Sequence, residues 1–224
     1  MPLGIGRKQQ PTEPAPDPSW HRVGDGLAAD LLSRGGATTE AIAAAEQALG
    51  TKLPPSLAQF VAQADAAEGW VAGDYLALWP VDQLADLNTR AKVAEFAPNL
   101  VAFATNAGGE GYFFDRTTGE FINSPMIGLG YIDPTMAGRD FEEFLAWLAK
   151  KYPRSGPAPA ANISRFGRVI HEIHPILLGG SPTDPKNKKL LPLPTYADIV
   201  AFWNVRVLEA RNLSANSTSP ANTK

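Results

Sequence analysis

Between Thr38 and Leu148 the hydrophobic period changes twice, and that succession narrows the folds open to this chain. Ile42, Ala45 and Leu49 recur at helical spacing, opened by a cap at Thr38-Thr39 with Glu40 in the first turn and closed by Gly50. Leu53-Pro54-Pro55-Ser56 opens a second helix, with proline where a missing donor does no harm, and Leu57, Phe60, Val61 and Ala64 form its buried stripe. The period then shortens. Tyr75 to Pro80, Leu100 to Thr105, Gly111 to Asp115 and Glu120 to Asn123 read as strands, the last two joined by a turn at Thr117 to Gly119. A short helix from Val81 to Asn88 bridges the first two. Phe141, Phe144, Leu145 and Leu148 return to helical spacing. Two helices, a mostly antiparallel sheet and a closing helix predict an α+β fold. Upstream, Leu27, Leu31 and Leu32 could form one apolar face between Trp20 and Arg34.

Composition bounds the rest. At 224 residues, 44% hydrophobic and 19% charged, the chain has the make-up of a soluble globular protein of one large or two small domains. Residues 1–19 and 214–224 are Pro-rich or Ser/Asn/Thr-rich and are expected to be disordered tails. A second Pro-rich stretch, 151–161, reads as a semi-stiff linker. It divides a domain over 20–150 from a C-terminal subdomain over 162–213. The formal net charge of -3 argues against general nucleic-acid binding. The absence of cysteine excludes disulfides, a thiol nucleophile and a Cys-based zinc site. The N-terminal stretch lacks an apolar core of secretory type, and no run approaches the roughly 18 apolar residues of a membrane span. The expected location is the cytoplasm.

The string Ile42-x-x-x-Glu46-x-x-Leu49-Gly50-x-x-Leu53-Pro54, with Phe60 beyond it, joins two helices through a Gly-and-Pro turn. With the strand ending Trp79-Pro80, the run Phe103-Ala-Thr-Asn-Ala-Gly-Gly109 into Gly111-Tyr112, and Phe141-x-x-Phe144-Leu145, it resembles the SUKH (SMI/KNR) superfamily over about Thr38 to Lys150. The resemblance implies a non-catalytic protein with no cofactor. Most members are bacterial immunity proteins that bind and neutralise a cognate toxin, often a nuclease. A fungal branch acts as an interaction scaffold in cell-wall regulation.

The C-terminal segment carries a second resemblance. His171-x-x-x-Pro175-x-x-x-Gly179-Gly180, then Asp184-Pro185-x-Asn187, then a helix is similar to the layout of the His-Asn-His (HNH) ββα-metal nucleases. That family implies a metal ligand at His171, a general base at Glu172, a loop-pinning Asn187 and a last ligand at Tyr196. Glu172 and Tyr196 are the wrong residue types for their roles. The segment is either a degenerate relative of that family or an ordinary Gly-Pro loop before a helix. His174 or Glu172 could substitute as ligands, which keeps a metal-dependent nuclease as an alternative. In the following helix Thr195 is the expected cap, and Tyr196, Ile199, Val200, Trp203 and Val207 the expected docking stripe.

No acid–base pair stands in a credible setting, and Gly108-Gly109-Glu110-Gly111 lacks the Lys-Ser/Thr ending of a phosphate loop. These absences agree with what the SUKH resemblance implies: toxin neutralisation by protein–protein contact, with no catalytic residue, metal or cofactor. Acids on loops are the candidate contacts for a basic nuclease: Asp65, Glu68, Asp74, Glu110, Asp115 and Asp133. Taken singly, each reads first as an ordinary solvated charge. A regulatory scaffold is the remaining alternative.

Overall fold

The computed structural model describes residues 20–23, 26–154 and 167–217. The expected N-terminal tail, the linker from residue 155 and the tail from residue 218 lie outside the described residues. Eight strands form one antiparallel meander, each bonded to its neighbour in sequence: β1 (His21–Arg22), β2 (Leu31–Ser33), β3 (Glu68–Val71), β4 (Asp74–Leu78), β5 (Leu100–Thr105), β6 (Glu110–Asp115), β7 (Phe121–Pro125) and β8 (Thr135–Gly138). The fold is α+β, with helices flanking this sheet.

Two helices separate β2 from β3: α1 (Thr39–Leu49) and α2 (Pro55–Val61). The Thr38 side chain accepts from Ala41 N at 3.1 Å, and Gly50 closes α1 at φ 66°, a backbone state that glycine adopts without cost. Glu46 locks the turn between them. One carboxylate oxygen accepts from Leu53 N at 3.1 Å and the other from Lys52 Nζ at 2.6 Å. The Glu-x-x-Leu-Gly-x-x-Leu-Pro string is thus a self-contained corner.

Between β4 and β5 lie α3 (Leu84–Arg90) and the short α4 (Val93–Phe96). Asn88, buried, clips α3 to β5: its Nδ2 donates to Ala102 O and its Oδ1 accepts from Ala102 N, both at 2.8 Å. Helix α5 (Phe141–Lys151) is capped by Asp140, whose carboxylate accepts from Glu143 N at 2.8 Å. It lays Phe141 and Phe144 against Phe103 and Phe121, with ring centroids between 5.5 and 6.3 Å apart. This aromatic cluster is the centre of the core.

The chain then returns as a two-stranded hairpin, β9 (Arg168–Glu172) and β10 (Lys188–Pro192), followed by α6 (Leu193–Ser217). Val169, Leu191, Leu193, Tyr196, Ala197 and Val200 join the same hydrophobic core as the sheet.

Several local expectations are corrected. Leu27, Leu31 and Leu32 do not share a helix face: Leu31 and Leu32 lie in β2, paired with Gly69 and Glu68 of β3, and Leu27 sits in a single 3-10 turn. Strand β9 ends at Glu172, and the chain turns at Ile176–Leu178. The last helix starts two residues before Thr195 and runs through Ser217, into the stretch read as a tail. Its buried stripe is Leu193, Tyr196, Val200, Asn204 and Val207, so Ile199 and Trp203 flank it.

Candidate functional site

The C-terminal hairpin holds the residues singled out for metal chemistry, and strand geometry separates them. Neighbouring residues of a strand point to opposite faces, so His171 and Glu172 cannot share a site while both lie in β9. His171 is buried, with its ring 6.3 Å from that of Tyr196 in α6. Burial lowers its pKa, which favours the neutral imidazole. Glu172 faces Lys188 across the hairpin, and its Oε1 accepts from Lys188 Nζ at 2.6 Å. His174 is exposed, 6.3 Å from the Trp203 ring.

Asn187 holds the intervening loop shut. Its Oδ1 accepts from His174 N at 2.7 Å, and its Nδ2 donates to the carbonyls of His174 and Ser181, each at 2.9 Å. Gly180 makes this closure possible, since a Cβ there would stand 1.8 Å from the His174 oxygen. The structure therefore brings Asn187 to His174 and His171 to Tyr196, with Glu172 drawn to Lys188. Among the described residues no group of three or more His, Asp or Glu side chains is placed to hold a metal ion. A hard cation needs several such donors at fixed geometry, and these side chains do not fit one.

The hairpin and α6 are fastened to the sheet domain at several points. Ile170 N donates to Ala107 O at 2.9 Å, and Gly167 N donates to Glu68 Oε1 at 3.1 Å. Asn204 of α6 accepts from Gly128 N at 2.7 Å and donates to Met126 O at 2.9 Å. Arg90 of α3 reaches Asp198 of α6 at 3.3 Å. Sequence reasoning missed Asn204. Its signal was a lone amide in an otherwise apolar stripe, eight residues after Tyr196.

The six acids scatter. Glu68 lies in β3 rather than on an exposed loop, is 3% exposed, and burial pushes its carboxyl up to about 8. Asp65 serves as a brace: its Oδ1 accepts from Ala66 N at 2.9 Å and from Val81 N at 3.0 Å, and burial raises its pKa. Asp74, also raised by burial, accepts from Tyr112 Oη at 2.6 Å. Asp115 closes the β6–β7 turn by accepting from Thr117 N at 2.7 Å and Thr118 N at 3.0 Å. Glu110 accepts from Asn123 Nδ2 at 2.8 Å at the start of β6, and Asp133 is exposed between β7 and β8. The structure brings Asp74 and Glu110 onto one polar network. Tyr112 holds Asp74, while Lys151 Nζ donates to Asn123 Oδ1 at 2.8 Å and Asn123 in turn holds Glu110.

The meander sheet with its capped corner and aromatic core defines an α+β domain whose central polar groups serve the fold. Residues 36–148 match the SMI1 / KNR4 family (SUKH-1), and the chain belongs to that family. No curated protein matches the chain. The hairpin and α6 lie beyond the matched residues. No helix among the described residues is long and apolar enough to cross a membrane.

Proposed function

We propose that this chain is a bacterial immunity protein that neutralises a cognate, nuclease-type toxin in the cytoplasm by binding it, without catalysis. Family membership over 36–148 carries the reading. The local chemistry supports it: the carboxylate at the general-base position is spent on Lys188, and the imidazole at the first ligand position is buried against Tyr196. On this reading the chain has two parts, the family domain over 20–150 and the hairpin–helix unit over 162–213. The latter is a degenerate HNH relative that keeps a strand–loop–strand–helix shell and an Asn187-pinned loop, with no metal-binding set among the described residues.

Co-expression with the toxic domain of a secreted protein encoded beside this gene tests the proposal. Cells carrying both are expected to grow. Equal killing with and without this chain, with the toxin's expression confirmed, rejects it for that pair.

A further inference from the structure

The seam between the family domain and the hairpin–helix unit opens on one side into an apolar groove. A cavity of about 310 Å³ is bounded by Ile127 and Ile132 on the sheet side and by Pro175, Ile176 and Leu177 on the turn. A second cavity, of about 610 Å³, shares Ile132 and Leu177 and continues to Tyr131 and Arg211. Ile176 and Leu177 are each 48% exposed, and Ile173 beside them is 52% exposed. Contiguous exposed aliphatics of this kind mark interaction sites more often than bare surface.

The two walls are fitted to each other. A Cβ on Gly128 would stand 2.9 Å from Leu177 Cδ2 and 3.1 Å from Ile132 Cδ1, so the turn leucine and Ile132 both pack directly over this glycine. The N–H of the same glycine is held by Asn204.

Charge indicates what fits. Glu110 and Glu172 line the groove, and the exposed Asp133 follows Ile132. Lys188 neutralises Glu172. Among the described residues neither Glu110 nor Asp133 forms an ion pair, and Arg211 lies at the far end, over the Tyr131 ring at 4.9 Å. An apolar floor lined by one carboxylate without an ion pair, Glu110, favours an apolar segment that also carries a cation.

We infer that this groove is a docking surface for a polypeptide segment combining apolar side chains with lysine or arginine, and that the Pro175–Leu178 turn supplies its second wall. The inference rests on the binding reading above and names the face that does the binding. It also gives the hairpin–helix unit a present role, as half of a composite surface.

The test is selection from a random 12-residue peptide library displayed on phage, against the full chain. The double variant I176D/L177D and the single variant E110Q serve as counter-targets. Enriched peptides are expected to pair aliphatic or aromatic residues with Lys or Arg. Their affinity is expected to fall roughly tenfold or more on I176D/L177D, and several-fold on E110Q. Amide shifts mapped on the wild-type protein with an enriched peptide should centre on 127–132 and 173–177, a readout that does not depend on how the variants fold.

No enrichment, shifts elsewhere, equal binding to a folded I176D/L177D variant, or enrichment of acidic peptides would overturn the inference. So would a wild-type dimer that I176D/L177D dissociates, since the groove would then belong to a second copy. No toxin enters this experiment, so its failure is distinct from a failure of the co-expression test.

Discussion

Asn204 of α6 chelates the backbone at Gly128, taking its N–H at 2.7 Å while giving its own amide to Met126 O at 2.9 Å. All of these groups are buried, so a single side chain satisfies a donor and an acceptor that water cannot reach. The loop it holds is the loop that Leu177 covers. Asn204→Ala leaves both backbone groups unpaired and is expected to destabilise the fold by about 2–4 kcal/mol. Urea unfolding measures this as a lowered midpoint. A change below about 0.5 kcal/mol would mean the loop finds other partners.

The contact between Glu68 and Gly167 predicts a pH dependence. Burial holds the folded-state pKa near 8, above the ordinary 4.5, so between those values the folded chain binds more protons than the unfolded one. Stability contributed by this group is complete below about pH 4.5 and falls as pH rises to 8, by at most about 1.4 kcal/mol per pH unit. Glu68→Gln keeps an acceptor for Gly167 N and removes the titration. The variant should match wild type near pH 5 and exceed it at pH 8.5. Parallel stability–pH curves for the two proteins would show that Glu68 is not the group responsible.

Tyr196 gives a prediction of the opposite sign to most core substitutions. Its ring is buried between the hairpin and the sheet, but its hydroxyl has no hydrogen-bond partner among the described residues, although Thr105 lies beside it. Thr105 Oγ1 donates to Glu110 O at 2.7 Å and accepts from Ala107 N at 3.2 Å. Removing an unsatisfied buried hydroxyl costs nothing and can stabilise by about 1–2 kcal/mol. Tyr196→Phe should therefore raise Tm slightly, whereas Tyr196→Ala should lower Tm, costing about 3–5 kcal/mol of stability through the cavity it leaves. A clear loss of Tm in the phenylalanine variant would reveal a partner for the hydroxyl.

What could be read along the chain was whatever is decided locally. The Thr38 cap, Gly50 and Pro55 fix helix ends by their own backbone chemistry, and β5 and α5 declare themselves by apolar runs and stripes. The elements that escaped notice depend on distant partners. Strand β2 exists because Leu31 and Leu32 pair with Gly69 and Glu68, far along the chain, and β3 itself is a short run broken by glycine. Strand β8 shows no alternation, with Met136 exposed, and β10 is masked by lysine and proline. The groove is less legible still. Ile132 and Leu177 both lie over Gly128, whose N–H Asn204 binds, and no local pattern records that meeting. The acids expected at a surface show the same limit: Glu68 carries a charge-bearing side chain yet is inside, because β2 and β4 flank it.

The hairpin residues make a last prediction, about chemistry. In a working metal site the first ligand and the base must reach one water. Here the strand turns His171 inward and Glu172 away, Lys188 occupies the carboxylate at 2.6 Å, and the helix position opposite His171 is a tyrosine whose pKa burial raises above its ordinary value. Restoring single residues cannot repair this, because the ion pair and the buried seam would both have to be undone. Purified protein is expected to leave supercoiled plasmid intact in the presence of Mg²⁺ or Mn²⁺. Tyr196→His is expected to leave it equally inert while lowering stability, since it replaces a buried phenol by a polar ring without partners. Nicking by the wild-type protein that disappears in His171→Ala would show that the seam opens to expose a functional site, and the non-catalytic reading would have to be abandoned.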